Sequence, residues 1–184
     1  MELIMQSYNL QELNARKISA IQADWIGELE KKNDSLIQLS SSLFDNIISQ
    51  KNYGVLTKRH NKDTYMAVVN SDTGETDAIV HIVFSKLGSS SMCKIMDIYH
   101  APHVSDLEDE MYNTKYYEIF LSVLANMLQI NQTTSYGVTK IYARDDISQK
   151  TIQAIDSDSN KRLIRKIGFE MNLLGRQWLE FKTI

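Results

Sequence analysis

The sequence predicts an α+β domain in which helices flank a twisted, mainly antiparallel sheet. Three features indicate this class: apolar stripes at helical spacing near the N-terminus, a β-hairpin pattern in the middle, and a closing helix followed by two strands. A chain of 184 residues is the usual length for one such domain. We therefore expect a single domain with an N-terminal helical part at 1–52 and a sheet core at 60–183.

Two helices are predicted before the first strand. The first covers residues 7–32, where Leu10, Leu13 and later apolar residues mostly keep to one helical face. The second covers residues 33–52 and has a similar stripe of leucine, phenylalanine and isoleucine. These two helices make up the predicted N-terminal part.

A β-hairpin is predicted where the sequence reads "TYMAVVNSDTGETDAIVHIVFSKL". Two runs rich in β-branched and aromatic residues flank a turn of Ser, Asp, Thr and Gly, and Gly74 is the expected residue with positive φ. A third strand, "MCKIMDIYH", follows, and Cys93 is expected to pack inside it. These strands form a three-stranded antiparallel meander.

The strongest helical pattern in the chain lies at residues 115–131. Its apolar side chains recur at helical spacing and include Phe120, Leu124 and Met127, which we expect to point inward. An acidic connector from Ala101 to Thr114 precedes it. The long helix is therefore expected to pack on one face of the sheet.

The C-terminal part predicts a strand, a short helix and a closing strand pair. "GVTKIYARD" is the strand, "SNKRLIRKI" is a helix that ends at Gly168, and "FEMNLLG" with "RQWLEFKT" is the pair. The order of elements is thus helices, meander, long helix, strand, short helix and two strands.

Composition excludes several classes of function. The net charge of −3 gives no global positive field for nucleic acid or an anionic membrane, and one cysteine cannot form an internal disulfide. Four scattered histidines lack metal-ligand spacing, so no metal site is expected. The N-terminus has no signal-peptide pattern, and no apolar run is long enough to span a membrane. We expect a cytoplasmic protein.

The element order, together with "RLIRKIGFE" and the final strand "RQWLEF", resembles the GCN5-related N-acetyltransferase (GNAT) superfamily. The resemblance covers roughly residues 60–183 and implies a GNAT-like fold and transfer of an acyl group to an amine of a small molecule or a protein. In that superfamily a glycine-rich loop after the third strand of the meander binds the pyrophosphate of acetyl-CoA.

The connector that matches this loop departs from the superfamily pattern. It contains no glycine, and it has four carboxylates, at Asp106, Glu108, Asp109 and Glu110. These charges would repel a diphosphate, although acidic residues near a helix N-terminus also complement its dipole. We therefore expect weak acetyl-CoA binding and a member of the fold without the glycine-rich loop.

The resemblance also suggests where a base and an acid would lie. A carboxylate or water chain near the third strand often serves as base, and a tyrosine in the last helix often serves as acid. Ile164 occupies the place of that tyrosine. The clustered titratable groups that remain are Asp97, Tyr99, His100 and His103, with Tyr142 on the next strand as a replacement acid. The alternative is that Asp97 and His100 are ordinary polar groups near a strand end.

Three functions remain open from the sequence. The protein is an acyltransferase that uses an acyl-CoA donor, a relative that takes its acyl group from an acyl carrier protein, or a GNAT-like binding module without catalysis. The second function requires a basic surface for an acidic carrier, and the most clustered basic residues are Lys161, Arg162, Arg165 and Lys166. Basic residues at the end of a helix are equally explained by its dipole.

Overall fold

The computed structural model describes residues 7–49, 62–87, 90–134 and 137–184. The edges of the predicted N-terminal helical part, at 1–6 and 50–52, lie outside these residues, as does the start of the predicted sheet core. The elements in chain order are β1 (Tyr8–Glu12), α1 (Ala15–Lys32), α2 (Ile37–Ser49), β2 (Lys62–Asn70), β3 (Thr76–Leu87), β4 (Ser90–His100), α3 (Pro102–Ser105), α4 (Asp109–Thr133), β5 (Val138–Tyr142), α5 (Asp146–Ile155), α6 (Asp158–Lys166), β6 (Phe169–Leu174) and β7 (Trp178–Thr183).

The described strands form a seven-stranded sheet in the order β1-β2-β3-β4-β5-β7-β6. The pairs β1–β2, β5–β7 and β6–β7 are antiparallel, and β4–β5 is parallel. The predicted α+β class with a mainly antiparallel sheet and flanking helices is therefore confirmed. So is the predicted order from the hairpin through the long helix to the closing strand pair.

The N-terminal prediction is wrong for the first few residues. Residues from Tyr8 to Glu12 form strand β1 rather than the start of a helix, and they pair antiparallel with β2 from Asn70 to Met66. Helix α1 begins only after Asn14, whose side chain caps it by accepting a hydrogen bond from the Lys17 amide at 2.9 Å. The sheet thus has a seventh strand that lies outside the predicted sheet core.

Helix α5 was not predicted from the sequence. It begins at a capping box, in which the Asp145 carboxylate accepts from the Ser148 amide at 2.7 Å and the Ser148 hydroxyl accepts from the Asp145 amide at 3.0 Å. Helix α6 follows and ends before Gly168, which has a φ of 91°, as the sequence predicted. Gly74 likewise has the expected positive φ, 76°.

The chain divides into two compact units. The first contains the described residues up to 49 together with 64–80 and 98–123, and the second contains 62–63, 124–184 and the described residues between 81 and 97. Whether the chain acts as one domain, as predicted, stays a prediction. No helix within the described ranges combines the length and apolar character needed to cross a bilayer.

Each unit has its own buried core. In the first, the Trp25 ring of α1 meets the Phe44 ring of α2 edge-on, with centroids 5.6 Å apart. In the second, the buried side chain of Asn131 on α4 donates to the Thr139 hydroxyl on β5 at 2.8 Å. Cys93 is buried within β4, as expected.

The inward face of α4 agrees with the sequence prediction. Phe120, Leu124 and Met127 are 2%, 5% and 0% exposed. These residues follow one another at helical spacing, so a single apolar stripe explains why all three are buried.

Replacing Leu124 with alanine should lower the free energy of unfolding by about 2–5 kcal/mol, because the change removes buried methyl groups and leaves a cavity. Leu39→Ala is the matched control, since Leu39 is 69% exposed, and it should change stability by less than about 0.5 kcal/mol. Urea denaturation of the two variants provides the measurement. Equal effects of both substitutions would contradict the assignment of Leu124 to the core.

Candidate functional site

The first compact unit contains a buried carboxylate with three side-chain donors. Asp77, near the start of β3, is 2% exposed. Its Oδ2 accepts from the Tyr8 hydroxyl at 2.9 Å and lies 3.1 Å from the Lys115 Nζ, while its Oδ1 lies 3.1 Å from the His103 Nε2. We call these four residues the Asp77 cluster. It joins β1, β3, α3 and α4.

The backbone of Asp77 helps to place one of its own partners. Its carbonyl oxygen accepts a hydrogen bond from the Ala101 amide at 2.8 Å, which fixes the point where the chain leaves β4. Pro102 then begins the short helix α3, because proline suits the first position of a helix. His103 follows and therefore lies within reach of the Asp77 carboxylate.

The electrostatics of the cluster follow from burial and hydrogen bonding. Burial alone would raise the pKa of Asp77, but hydrogen bonds with His103, Lys115 and Tyr8 outweigh it and lower that pKa to about 2. Burial raises the pKa of Tyr8 to about 12. Burial opposes the charge of Lys115, yet its bonds to Tyr8 and Asp77 raise its pKa overall. Asp77 and Lys115 are therefore charged at neutral pH, and Tyr8 is a neutral donor.

His103 lies between two carboxylates. Its Nε2 faces Asp77, and its Nδ1 lies 3.7 Å from the Glu28 Oε2 of α1. The hydrogen bond with Asp77 raises the pKa of His103, although partial burial opposes this. The side chain is 40% exposed, so the imidazole can exchange its proton with solvent.

A cavity of about 560 Å³ adjoins the Asp77 cluster and is lined entirely by residues of the first unit. Asp77, His103 and Lys115 form one part of its wall, and glutamates form another. Volumes of this size are usual for small-molecule sites.

Two residues of the cluster, Asp77 and His103, belong with Glu75 to a group with metal-ligand geometry. Ligand atoms of Glu75, Asp77 and His103 lie within 4.8 Å of one another. The Lys115 ammonium already lies 3.1 Å from Asp77, and its charge would repel a divalent cation at this position. The arrangement therefore fits an internal ion-pair network better than a metal site.

Two of the predicted catalytic residues lie in the second unit, where β4 and β5 stop pairing. The parallel register runs from Met92↔Val138 to Ile95↔Ile141. Tyr142 is the next residue after Ile141, and Asp97 lies two residues after Ile95. Asp97 and Tyr142 therefore both lie just beyond the end of the paired segment.

Each of these two residues has a neighbour in the same unit. The Asp97 carboxylate forms an ion pair with the Arg144 guanidinium, which follows β5. The Tyr142 ring packs against the Trp178 ring of β7 at a centroid distance of 4.9 Å. The carboxylate is partly exposed, at 19% of its side-chain area.

The other two predicted catalytic residues, Tyr99 and His100, belong to the first unit. Both are half-buried. The His100 ring lies against the rings of Tyr112 and Tyr116, with centroids 5.8 and 5.0 Å away, and its Nδ1 is 3.5 Å from the Tyr112 hydroxyl. The catalytic roles of all four predicted residues stay predictions.

The acidic connector is shorter than the sequence suggested. Helix α4 begins at Asp109 rather than near Lys115, and α3 occupies part of the remaining segment. Asp109 and Glu110 lie in the first turn of α4, where carboxylates complement the helix dipole. Asp106 forms an ion pair with Lys32.

The predicted basic surface lies on helix α6. The Lys161 Nζ lies 2.9 Å from an Asp156 carboxylate oxygen, whereas Arg162, Arg165 and Lys166 are exposed. Arg165 and Lys166 occupy the last turn, where they also complement the helix dipole. Binding of a partner by these residues stays a prediction.

Sequence reasoning missed the role of the Asp77 cluster. The one local signal was an aspartate at the head of the apolar run "DAIVHIVF", where a charged residue must find partners once buried. His103 was noticed in the sequence, but its partner was not. Tyr8 and Lys115 gave no signal of their own.

Comparisons with known proteins give structural likenesses only. No family model matches the chain, and no curated relative matches it. Solved structures that match include a probable acetyltransferase (10% identity over 81% of this chain and 89% of that one, TM-score 0.47). They also include a GNAT-family acetyltransferase from Listeria monocytogenes (11% identity, 96% and 95% covered, TM-score 0.37). A third is an aminoglycoside 6'-N-acetyltransferase complexed with coenzyme A (9% identity, 96% and 97% covered, TM-score 0.35).

These likenesses are too remote to add to the fold prediction made from the sequence. Every identity is below 25% and every TM-score is below 0.5, so they carry no argument about activity. Only the chain's own residues therefore bear on its function.

Replacing Asp77 with asparagine should destabilise the protein by about 1–3 kcal/mol, because three donors would lose a charged acceptor and the partly buried Lys115 ammonium would lose its counter-charge. The pKa of Asp77 is lowered from 3.8 to about 2. The ionised carboxylate therefore adds to the free energy of unfolding above pH 3.8, and this stabilisation is lost as the pH falls through about 2. Urea denaturation at neutral pH measures the effect. Asp72→Asn, in an exposed turn, is the control, and a loss below about 1 kcal/mol for Asp77→Asn would contradict the role of the cluster.

Proposed function

We propose that the protein is an acyltransferase that transfers an acyl group to an amine. The observation that carries the proposal is the position of Asp97 and Tyr142 immediately beyond the last paired residues of the parallel strands β4 and β5. The sequence predicted Asp97 or His100 as the base and Tyr142 or Tyr99 as the acid, from the resemblance and from the clustering of titratable groups. What supports the proposal is that β4 and β5 are neighbours at that point and that the Asp97 carboxylate pairs with Arg144, the second residue after Tyr142.

The proposed chemistry needs two proton transfers. An amine is mostly an ammonium ion at neutral pH, so the Asp97 carboxylate accepts a proton before the nitrogen attacks the acyl carbon. The C–N bond then forms as the C–S bond of the thioester breaks, and the Tyr142 hydroxyl protonates the leaving thiolate. Arg144 acts as a positioning residue, because its ion pair holds the Asp97 carboxylate.

Tyr99 and His100 form the second possible acid and base pair. The His100 ring packs against the rings of Tyr112 and Tyr116. This packing favours a structural role for His100. We therefore assign the proposed chemistry to Asp97 and Tyr142.

Asp97→Asn and Tyr142→Phe should each reduce the rate of acyl transfer by about 100-fold or more, because each removes a proton-transfer group. The measurement is thiol release from acetyl-CoA and from an acyl carrier protein with a panel of amines. Asp72→Asn and Tyr117→Phe are matched controls at exposed positions. Urea denaturation of each variant separates lost activity from lost folding.

Full activity in both variants would exclude Asp97 and Tyr142 as catalytic residues. The absence of turnover in the wild-type protein with either donor and every amine would overturn the proposal and favour a non-catalytic binding module.

The N-terminus of α4 argues against a strong acetyl-CoA site. In other proteins, the backbone amides and positive end of such a helix bind a phosphate group. Here Asp109 and Glu110 lie in the first turn of that helix, and Glu108 immediately precedes it. Their negative charges would repel a diphosphate at this position.

An acyl carrier protein is the second candidate donor. Exposed Arg162, Arg165 and Lys166 on α6 favour this candidate, because carriers are acidic and present their acyl group on a flexible arm. Lys161 is the fourth basic residue of this surface, although it also pairs with Asp156. We propose this surface as the docking site if the donor is a carrier protein.

Calorimetric titration should give no micromolar binding of acetyl-CoA, whereas an acyl carrier protein should bind with an affinity that falls steeply as salt is raised. Arg162→Glu with Arg165→Glu should abolish carrier binding. Arg16→Glu with Arg176→Glu is the matched control, since both of these arginines are exposed.

Micromolar binding of acetyl-CoA would favour acetyl-CoA as the acyl donor. It would also refute our interpretation of the acidic residues at the start of α4. Carrier binding that survives charge reversal on α6 would remove the proposed docking surface but not the carrier itself.

A further inference from the structure

Three aromatic and aliphatic side chains form a row across neighbouring strands of the second unit. Tyr142 of β5 pairs with Trp178 of β7, and Trp178 in turn pairs with Leu174 of β6. Directly opposite residues of antiparallel strands have their side chains on the same face of the sheet. The three side chains therefore make one continuous row, which we call the Trp178 row. It begins at Tyr142, the acid proposed above.

The Trp178 row is accessible to solvent over part of its length. Leu174 is 41% exposed, and Tyr142 and Trp178 are half-buried. The centroids of the Tyr142 and Trp178 rings are 4.9 Å apart, so the two rings make one joined surface. Strand β6 is the last strand of the described sheet on this side. The row therefore leads from the proposed acid to a sheet edge.

Backbone contacts fix the position of this row. The Ala143 amide donates a hydrogen bond to the Gln177 carbonyl oxygen at 2.8 Å, which extends the contact between β5 and the closing hairpin beyond the Tyr142↔Trp178 pair. Gly175, with a φ of 64°, permits the turn between β6 and β7. Trp178 is therefore held beside Tyr142 by the sheet itself.

The adjacent row on the same face is polar. It consists of Lys140, Glu180 and Asn172, and the Lys140 Nζ lies 2.8 Å from a Glu180 carboxylate oxygen. Because alternate residues of a strand share a face, the two rows are only about 7 Å apart. The Trp178 row is therefore a narrow apolar surface. It is about 10 Å long, since it crosses two spacings between strands of about 4.8 Å each.

The chemistry proposed for Tyr142 indicates which part of the substrate meets this row. The Tyr142 hydroxyl protonates the leaving thiolate, so the thioester of the donor lies beside it, whereas the ammonium group of the acceptor lies at the Asp97 carboxylate. The thiol arm of CoA or of a carrier protein contains amide groups, which would lose hydrogen bonds to water on an apolar surface. An aliphatic acyl chain loses none, and it leaves water favourably.

We propose that the Trp178 row binds the acyl chain of the donor, and that the transferred group is an aliphatic chain of about eight carbons rather than acetyl. An extended chain of this length is about as long as the row, given C–C bonds of about 1.5 Å. Trp178 and Leu174 are then specificity-determining residues, because they remove the chain from water. This inference rests on the acyl transfer proposed above, with Tyr142 as its acid.

The test measures the binding of inert donor analogues through the fluorescence of Trp178. S-octyl-N-acetylcysteamine and S-ethyl-N-acetylcysteamine are thioethers, so neither can transfer a group. The sequence has two tryptophans, and Trp25→Phe leaves Trp178 as the single reporter while keeping an aromatic ring against Phe44. The octyl compound should shift the emission to shorter wavelength. It should also bind at least about 30-fold more tightly than the ethyl compound, because its additional methylene groups leave water.

A matched pair of variants locates the bound chain. Leu174→Asn should weaken binding of the octyl compound by at least about 5-fold, because it makes the far end of the row polar, and it should leave binding of the ethyl compound unchanged. Leu39→Asn is the control, at an exposed leucine of the first unit. Calorimetric titration of the wild-type chain measures the two affinities independently of the Trp25 substitution, and urea denaturation checks that each variant folds.

Equal affinities for the two compounds, an unchanged emission of Trp178, or equal effects of the two asparagine variants would overturn this inference. So would acyl transfer that is no faster from an octanoyl donor than from an acetyl donor, although the proposed function would then stand. Leu174-dependent binding of the octyl compound by a protein that transfers no acyl group would support the alkyl site and refute the proposed function alone.

Discussion

Organisation of the first unit depends on the buried charge of Asp77. A carboxylate that is 2% exposed would be costly to bury alone, and Tyr8, His103 and Lys115 supply the donors that make its burial possible. Because the donors come from β1, α3 and α4, each of these elements must be in place before the charge is satisfied. One carboxylate thus connects three segments that lie far apart in the sequence.

The fold was predictable where a local pattern determined the structure. Period-two and period-3.6 patterns located the hairpin, the long helix and the closing pair, and Gly168 marked the end of α6. Strand β1 was missed because Leu10 and Leu13 also fit helical spacing. What decides the strand is pairing with β2, from Tyr8↔Asn70 onward, and no local pattern reveals a partner so distant in sequence.

The two candidate sites also differ in how far the sequence could predict them. Asp97 and Tyr142 could be proposed from the sequence, because each lies near the end of a recognisable strand and the resemblance implied that a base and an acid are needed there. The Asp77 cluster could not, since Tyr8 is 69 residues and His103 is 26 residues from Asp77 along the chain. A buried aspartate implies that hydrogen-bond partners exist, but only the tertiary structure identifies them.

Strand β4 links the proposed base to the one cysteine of the sequence. Cys93 is 1% exposed, and burial raises the pKa of its thiol, so the reactive thiolate does not form while the strand is in place. A thiol reagent can therefore modify this protein only during excursions that open β4. The labelling rate of the native chain would report the local opening free energy of the strand that carries Asp97, with no engineered probe.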